Sequence, residues 1–483
     1  MEEIDIAAIK KRTIRGVLAL TSRTLIIQVV GFISNLLLTI FLSPTIFGVY
    51  FVVTASIAFL SYFSDIGLAA ALIQKRDKIS HDDLKTTFTI QQILVLSLVI
   101  LALVLSRNFG SFYHLNEKGV WLFQALIVSF FLSSLKTIPS VILERNLQFE
   151  KLVIPQIVET LTFNILAVIF AFKGFGVTSF TIAVLGRGIT GLIAMYLIAP
   201  WRISLGVSKN SASKLLSFGI PFQTNSFLAL IKDDLLIAYL GRVLPLNQVG
   251  FIGFAQKWAF TPLRLIMDNI IRITFPSFSR LQDEKNLLSS ALEKSVFASI
   301  VLVFPSLAGL VVLSPYFISL IPKYSKWEPA LLSLGFFAAN AAFSSISTPL
   351  TNTLNAIGKI KVSLYFMVFW TAATWILTPI LIAVYGFNGV SIASFVISLS
   401  LFAVIFAVRK YVDFNFLGVI KNPLIATFIM GTVLYFASRI LVSDFLSLSI
   451  MIILGVVIYF LVLFVLAKDQ LLADLRFVKE HLK

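Results

Sequence analysis

The sequence predicts an all-α integral membrane protein of about fourteen transmembrane helices. Three observations predict it. The chain is 58% hydrophobic and only 13% charged, more apolar surface than a water-soluble fold can hide. Its apolar residues fall into runs of ~20, the length at which a helix crosses ~30 Å of hydrocarbon. The charges gather between those runs and alternate from loop to loop, as the positive-inside rule requires. Long continuous runs suit helices and exclude the dyad alternation of a membrane barrel.

In chain order the runs lie near 20–41, 48–71, 88–106, 119–137, 154–172, 177–200, 215–240, 248–275, 296–321, 330–350, 361–384, 387–408, 421–441 and 445–467. The opening segment, MEEIDIAAIKKRTIRG, is charged and mildly amphipathic and lacks a signal-peptide cleavage pattern, so the first run is expected to stay in the protein. The seventh and eighth runs are weaker. They carry Lys232, Asp233, Asp234, Lys257, Arg264, Asp268 and Arg272, and charged spans face a bundle interior or a watery cavity.

Loop charges set the orientation. Cations crowd the N-terminus (Lys10, Lys11, Arg12, Arg15), the even-numbered loops (Lys75, Arg76, Lys78, Lys85; Arg145, Lys151; Arg202, Lys209, Lys214; Arg280, Lys285, Lys294; Lys359, Lys361; Arg409, Lys410, Lys421) and the C-terminus. The odd-numbered loops hold few: Arg107, Lys118, Lys173, Arg242, Lys323, Lys326 and Arg439. Both termini are therefore expected in the cytoplasm, which requires an even number of spans. The same rule accounts for most of the formal charge of +16, which in a soluble chain would suggest a nucleic-acid partner and here does not.

The chain also repeats itself. Phe47-Gly48-Val49-Tyr50 opens the second run and Val249-Gly250-Phe251-Ile252 the eighth; Asp65 and Asp268 follow the two glycines at 17 and 18 residues. Ser133-Ser134, Pro139 and Lys151 match Ser344-Ser345, Pro349 and Lys361, with 12 residues from proline to lysine in each. Two parallel six-helix lobes are expected, residues 1–210 and 211–410, followed by two extra helices and a cytoplasmic tail in 411–483.

No catalytic motif is present. The sequence lacks a G-x-x-x-x-G-K-[ST] loop, an H-E-x-x-H helix and a G-x-S-x-G elbow. With Cys 0, thiol and disulfide chemistry is excluded, and His81, His114 and His481 have no metal-ligand spacing. No cofactor is implied. Asp82-Asp83 reads as a loop face; Asp233-Asp234 is placed to pair with Lys232 and Arg242.

The deep cations are the informative set. Arg187 stands near the middle of its run, and Lys257 is similarly deep. Arg264, Asp268 and Arg272 share one helix stripe at i, i+4, i+8, with Lys257 one heptad before Arg264. Arg23 lies in the inner half of the first run and Lys232 in the outer half of the seventh. Such cations predict a cavity for an anionic group, arginine gripping phosphate bidentately and lysine adding a point charge. The competing reading is structural pairing: Asp268 with its two flanking arginines, and Glu159 with Arg23 at comparable depth. Asp65 and Asp268 are candidates for coupling carboxylates, or simply polar helix ends. Gln91, Gln92, Asn225, Asn340 and Asn352 offer sugar hydrogen bonds or interhelical contacts.

Several phrases carry a family resemblance: LSPTIFGVYFV (42–52), SDIGLAAALIQ (64–74), SVILERNLQFEKL (140–152), FKGFGVTSFTIAVLGRGITGLIAMYLIAPWR (172–202), SFGIPFQTNSFLALIKDDLLIAYLG (217–241) and PSFSRLQDEKN (276–286). In this order they resemble the O-antigen and exopolysaccharide repeat-unit flippases of the multidrug/oligosaccharidyl-lipid/polysaccharide exporter superfamily. The resemblance covers about residues 20–420. It implies two six-helix lobes around a V-shaped cavity and two C-terminal helices. It implies alternating access that carries a polyprenyl-diphosphate-linked oligosaccharide across the inner (cytoplasmic) membrane for lipopolysaccharide or exopolysaccharide synthesis. Partners would be membrane lipids, a polysaccharide polymerase and glycosyltransferases. The binding positions it implies are Arg187, Lys232, Lys257 and Arg264. A drug or metabolite exporter of the same superfamily is the first alternative, disfavoured because deep cations outnumber deep acids. A membrane-embedded glycosyltransferase or polymerase is the second, disfavoured by short external loops.

Overall fold

The protein is described here by a computed structural model that covers residues 6–64, 66–75, 77, 79–224 and 227–481. Asp65 and Asn225 lie outside the described residues. The described chain is all α-helix apart from turns and one 3-10 segment. It divides into two compact units, Met1–Gly250 and Phe251–Lys483.

The first unit contains α1 (Ile6–Phe41), α2 (Pro44–Tyr62), α3 (Leu68–Gln74), α4 (His81–Val104), α5 (Ser106–Phe112), α6 (Glu117–Ser134), α7 (Thr137–Arg145), α8 (Phe149–Phe172), α9 (Val177–Ile198), α10 (Lys209–Thr224), α11 (Phe227–Val243) and the start of α12 (Leu246–Arg280). The second contains the rest of α12, then α13 (Lys285–Leu320), the 3-10 segment Ser325–Ala330, α14 (Leu331–Ala356), α15 (Ile360–Tyr385), α16 (Asn388–Ser398), α17 (Leu401–Arg409), α18 (Phe416–Leu441) and α19 (Phe445–His481).

Each apolar run of the sequence falls on helix. Among the described residues 11 helices are long and apolar enough to cross a membrane, and α6 with α7, bent by 43°, makes up to 12. The expected fourteen included the seventh and eighth runs. These fall on α10–α11 and α12: α10 and α11 are short, at 16 and 17 residues, and none of the three is among the helices long and apolar enough to cross. Large apolar side chains point away from the protein, as Ile440 (85% exposed) and Phe428 (75%) do on α18. A molecule that leaves such surface bare needs lipid as its solvent. It is a multi-pass membrane protein.

The second run is not one helix, as 48–71 suggested. Ser43 precedes α2, whose first residue is Pro44, a position where the missing N–H costs nothing. The helix stops at Tyr62, and α3 starts afresh after Gly67 at φ 73. A methyl on Gly67 would also lie 2.8 Å from the carbonyl carbon of Gly219 on α10. Beside this approach Tyr62 Oη donates to the Gln223 carbonyl, and Gln223 Nε2 donates to the Tyr62 carbonyl at 2.8 Å. Arg145, at the end of α7, donates to the carbonyls of Leu72, Lys75 and Asp77, which fixes the chain beyond α3. The next helix opens on a capping box between Ser80 and Asp83, with Lys75 paired to the same carboxylate.

At the other end of α2 the two repeat-related helix starts cross. Gly48 abuts Leu246 and Gly250 abuts Pro44, so each glycine meets the residue four places before the other. The repeated glycines thus have a steric cause: two backbones in contact leave no room for Cβ.

In the second unit α13 packs on α14 and α18. One core joins Leu292, Ile300, Leu350, Leu354 and Val404; another joins Leu313, Met430, Leu434, Tyr459 and Leu463. Fully buried Trp327 stacks on Phe254 of α12 at 4.3 Å between ring centroids. Ser333, Asn388 and Ser391 tie α14 to α16 by hydrogen bonds.

Candidate substrate-binding site

In the first unit Arg187 lies midway along α9, Glu159 midway along α8, and Lys136 at the break between α6 and α7. These three meet. The Lys136 ammonium pairs with Glu159 Oε1, and Arg187 Nε stands 3.8 Å from Glu159 Oε2. Lys136 and Glu159 are mostly buried, with side chains 11% and 14% exposed, whereas Arg187 is 54% exposed. The carboxylate fits because residue 191 is glycine. A methyl there would lie 2.5 Å from Glu159 Cδ. Tyr50 of α2, stacked on Phe180 of α9 at 4.2 Å, forms an adjoining wall.

Two cations thus share one carboxylate, and the surplus positive charge falls on the open guanidinium. At 3.8 Å the Arg187 contact is an ion pair but too long for a hydrogen bond. The terminal nitrogens keep their fork for an incoming anion. This corrects the expected pairing of Glu159 with Arg23: the acid serves Lys136 and Arg187 instead. Equal depth places two residues at one level of the bilayer but says nothing about which way round the helix each one points. Lys136 escaped the sequence reading. The available signal was a lysine inside an apolar run, three residues before Pro139, a residue that suits the first turn of a new helix.

Arg23 is half-buried on α1, and its Nε is buried without a hydrogen-bond partner among the described residues. Lys232 lies 4.0 Å from its neighbour Asp233. Arg242, expected beside the two aspartates, turns elsewhere. It donates to His114 Nε2 at 3.1 Å and lies over the Phe112 ring.

In the second unit Lys257, Arg264, Asp268 and Arg272 are all exposed on α12. Among the described residues no ion pair within 4.0 Å joins Asp268 to Arg264 or Arg272. The amides serve packing. Gln91 bonds Thr137, Gln92 bonds Ser134, Asn340 bonds the Ser394 carbonyl and Asn352 bonds Thr274. A groove of about 590 Å³ between α15 and α16–α17 is walled by Tyr365, Phe369, Leu377, Val396 and Ala403 and carries no cation.

Residues 37–331, more than half of the chain, match the family described as polysaccharide biosynthesis protein. The chain belongs to that family. An uncharacterized membrane protein in the cps region of Klebsiella pneumoniae is 25% identical over 379 residues, 74% of each chain. The lipopolysaccharide biosynthesis protein WzxC of Escherichia coli (strain K12) is 24% identical and covers 75% of this chain and 74% of its own. Among solved structures, the lipid II flippase MurJ in an inward closed conformation superposes with a TM-score of 0.77 at 15% identity, over 94% of this chain and all of that one. At that identity the likeness speaks for the fold. It agrees with the all-α membrane architecture expected from the sequence.

Proposed function

We propose that this protein flips a polyprenyl-diphosphate-linked oligosaccharide across the cytoplasmic membrane for surface polysaccharide synthesis. The observation that carries the reading is Arg187: a half-exposed guanidinium midway along a membrane helix, in a chain of the polysaccharide biosynthesis family. An arginine is costly at that depth, and a diphosphate headgroup supplies the oxygen fork it matches. The name of WzxC, a lipopolysaccharide biosynthesis protein, and the fold shared with the MurJ lipid flippase support the same substrate class.

Arg187, Lys257, Arg264, Arg23 and Lys232 are the proposed binding cations, and Asp65 and Asp268 the proposed coupling carboxylates. Residues 1–210 and 211–410 would rock against each other to expose the site to either face, with both termini in the cytoplasm. Glycosyltransferases would act before the flip and a polymerase after it, and this chain performs no bond chemistry of its own.

The test is Arg187→Ala and Lys257→Ala, each expressed in a strain lacking the native gene, with surface polysaccharide as readout. Loss of polymer with lipid-linked repeat units accumulating inside is expected. Normal polymer at normal protein level removes these residues from the mechanism.

A further inference from the structure

Glu159 is the only acid within 4.0 Å of Arg187 among the described residues, and it is already engaged. We propose that Lys136 and Glu159 together set the charge that Arg187 offers, holding the site at one net positive charge so that singly charged membrane headgroups are not retained and a diphosphate is. The inference rests on the reading of Arg187 as a diphosphate-binding residue and adds the specificity-determining pair behind it.

The geometry makes the pair a trimmer, not a ligand. Lys136 is 9% exposed and pairs with Oε1 of Glu159, the oxygen that Arg187 does not face. Glu159 places its second oxygen 3.8 Å from the inner edge of that guanidinium, where it lowers the local potential without occupying the outer nitrogens. Gly191 keeps this arrangement close, because any side chain there would displace the carboxylate. An isolated guanidinium beside a free lysine would present two positive charges, enough to trap the abundant monoanionic phospholipids. An isolated Arg187–Glu159 pair would present none. With all three groups the site presents one, and binding then scales with the charge of the anion.

The arrangement predicts opposite signs for two buried residues that touch no substrate. Glu159→Gln raises affinity for every anion. Lys136→Met lowers it, because Glu159 then has Arg187 to itself. The double variant returns to wild-type behaviour, since its net charge is again one. A merely structural role for the pair would damage all three variants in the same direction.

The experiment uses the full chain purified in detergent, with native mass spectrometry of bound farnesyl diphosphate and of dioleoylphosphatidylglycerol. Wild type is expected to hold the diphosphate in preference to the phospholipid. Glu159→Gln should gain roughly tenfold or more in phospholipid affinity. Lys136→Met should lose diphosphate affinity by a similar factor, and the double variant should match wild type within about threefold. Arg187→Gln separates the two readings. If it binds the diphosphate as wild type does, Arg187 is not the substrate cation and the functional reading of this residue fails with the inference. If it loses the diphosphate while Glu159→Gln and the double variant leave phospholipid binding unchanged, only the charge-setting role is overturned. Should Lys136→Met not fold, Glu159→Gln against the double variant still decides the sign.

Discussion

Replacing Gly48 by alanine tests the crossing of α2 and α12 most directly. The added methyl would lie 2.6 Å from the carbonyl carbon of Leu246, and the one at Gly250→Ala 2.7 Å from that of Pro44. Carbon atoms in comfortable contact sit about 3.5–4.0 Å apart and the carbonyl oxygens lie closer still, so either methyl must open the crossing by more than about 1 Å. The obstructing atoms are backbone, which cannot rotate aside as a side chain would. Alanine recovers up to about 1 kcal/mol of helix propensity, while overpacking of this kind costs about 1–3 kcal/mol, so the clash wins. The two substitutions are expected to be strongly non-additive, because the gap forced by one methyl accommodates the other. Gly31→Ala and Gly431→Ala supply the control: both are helical glycines with nothing within 4 Å, where the same change should be neutral or stabilising. The assay is the apparent melting temperature in detergent, compared across the five variants and wild type. Gly48→Ala melting no lower than Gly31→Ala would refute the close crossing and the steric account of the repeated glycines.

Other consequences are open to simpler measurements. Arg145→Ala should free the carbonyls of Leu72, Lys75 and Asp77 and raise the rate of trypsin cleavage after Lys75 by about tenfold or more, in vesicles that expose the cytoplasmic face; Arg145→Lys should rescue little, since one ammonium cannot span three carbonyls. Gly67→Ala places a side chain at φ 73 and against Gly219, and should cost about 1–3 kcal/mol, visible as a lower melting temperature. The chain has Cys 0, so single cysteines report topology without background: Lys118→Cys should react with a membrane-impermeant maleimide in intact cells, whereas Lys285→Cys should react only after lysis.

The sequence and the structure part company where direction around a helix matters. Every apolar run fell on helix because the bilayer acts on each segment alone, though most of the short helices α5 and α7 lies outside the runs. The broken second run shows the first limit. Hydropathy averages across residues 63–67, but Ile66 and Gly67 both take positive φ there, beside a close backbone approach to α10. Arg187 shows the second. Its depth pointed to a cation facing a cavity, whereas the structure also gives it an acid on α8, shared with a lysine three helices back in the chain. Arg264, Asp268 and Arg272 show the reverse case. Their i, i+4, i+8 spacing makes pairing easy, yet all three are exposed and none is joined within 4.0 Å among the described residues. Spacing permits an ion pair, but solvation decides whether it forms. An exposed pair gains at most about 1 kcal/mol, too little to hold long side chains in one geometry. A carboxylate walled in by Gly191 and Lys136 has no such choice. Burial therefore ties Lys136 and Arg187 to Glu159 in the first unit, while Arg264, Asp268 and Arg272 on α12 stay exposed.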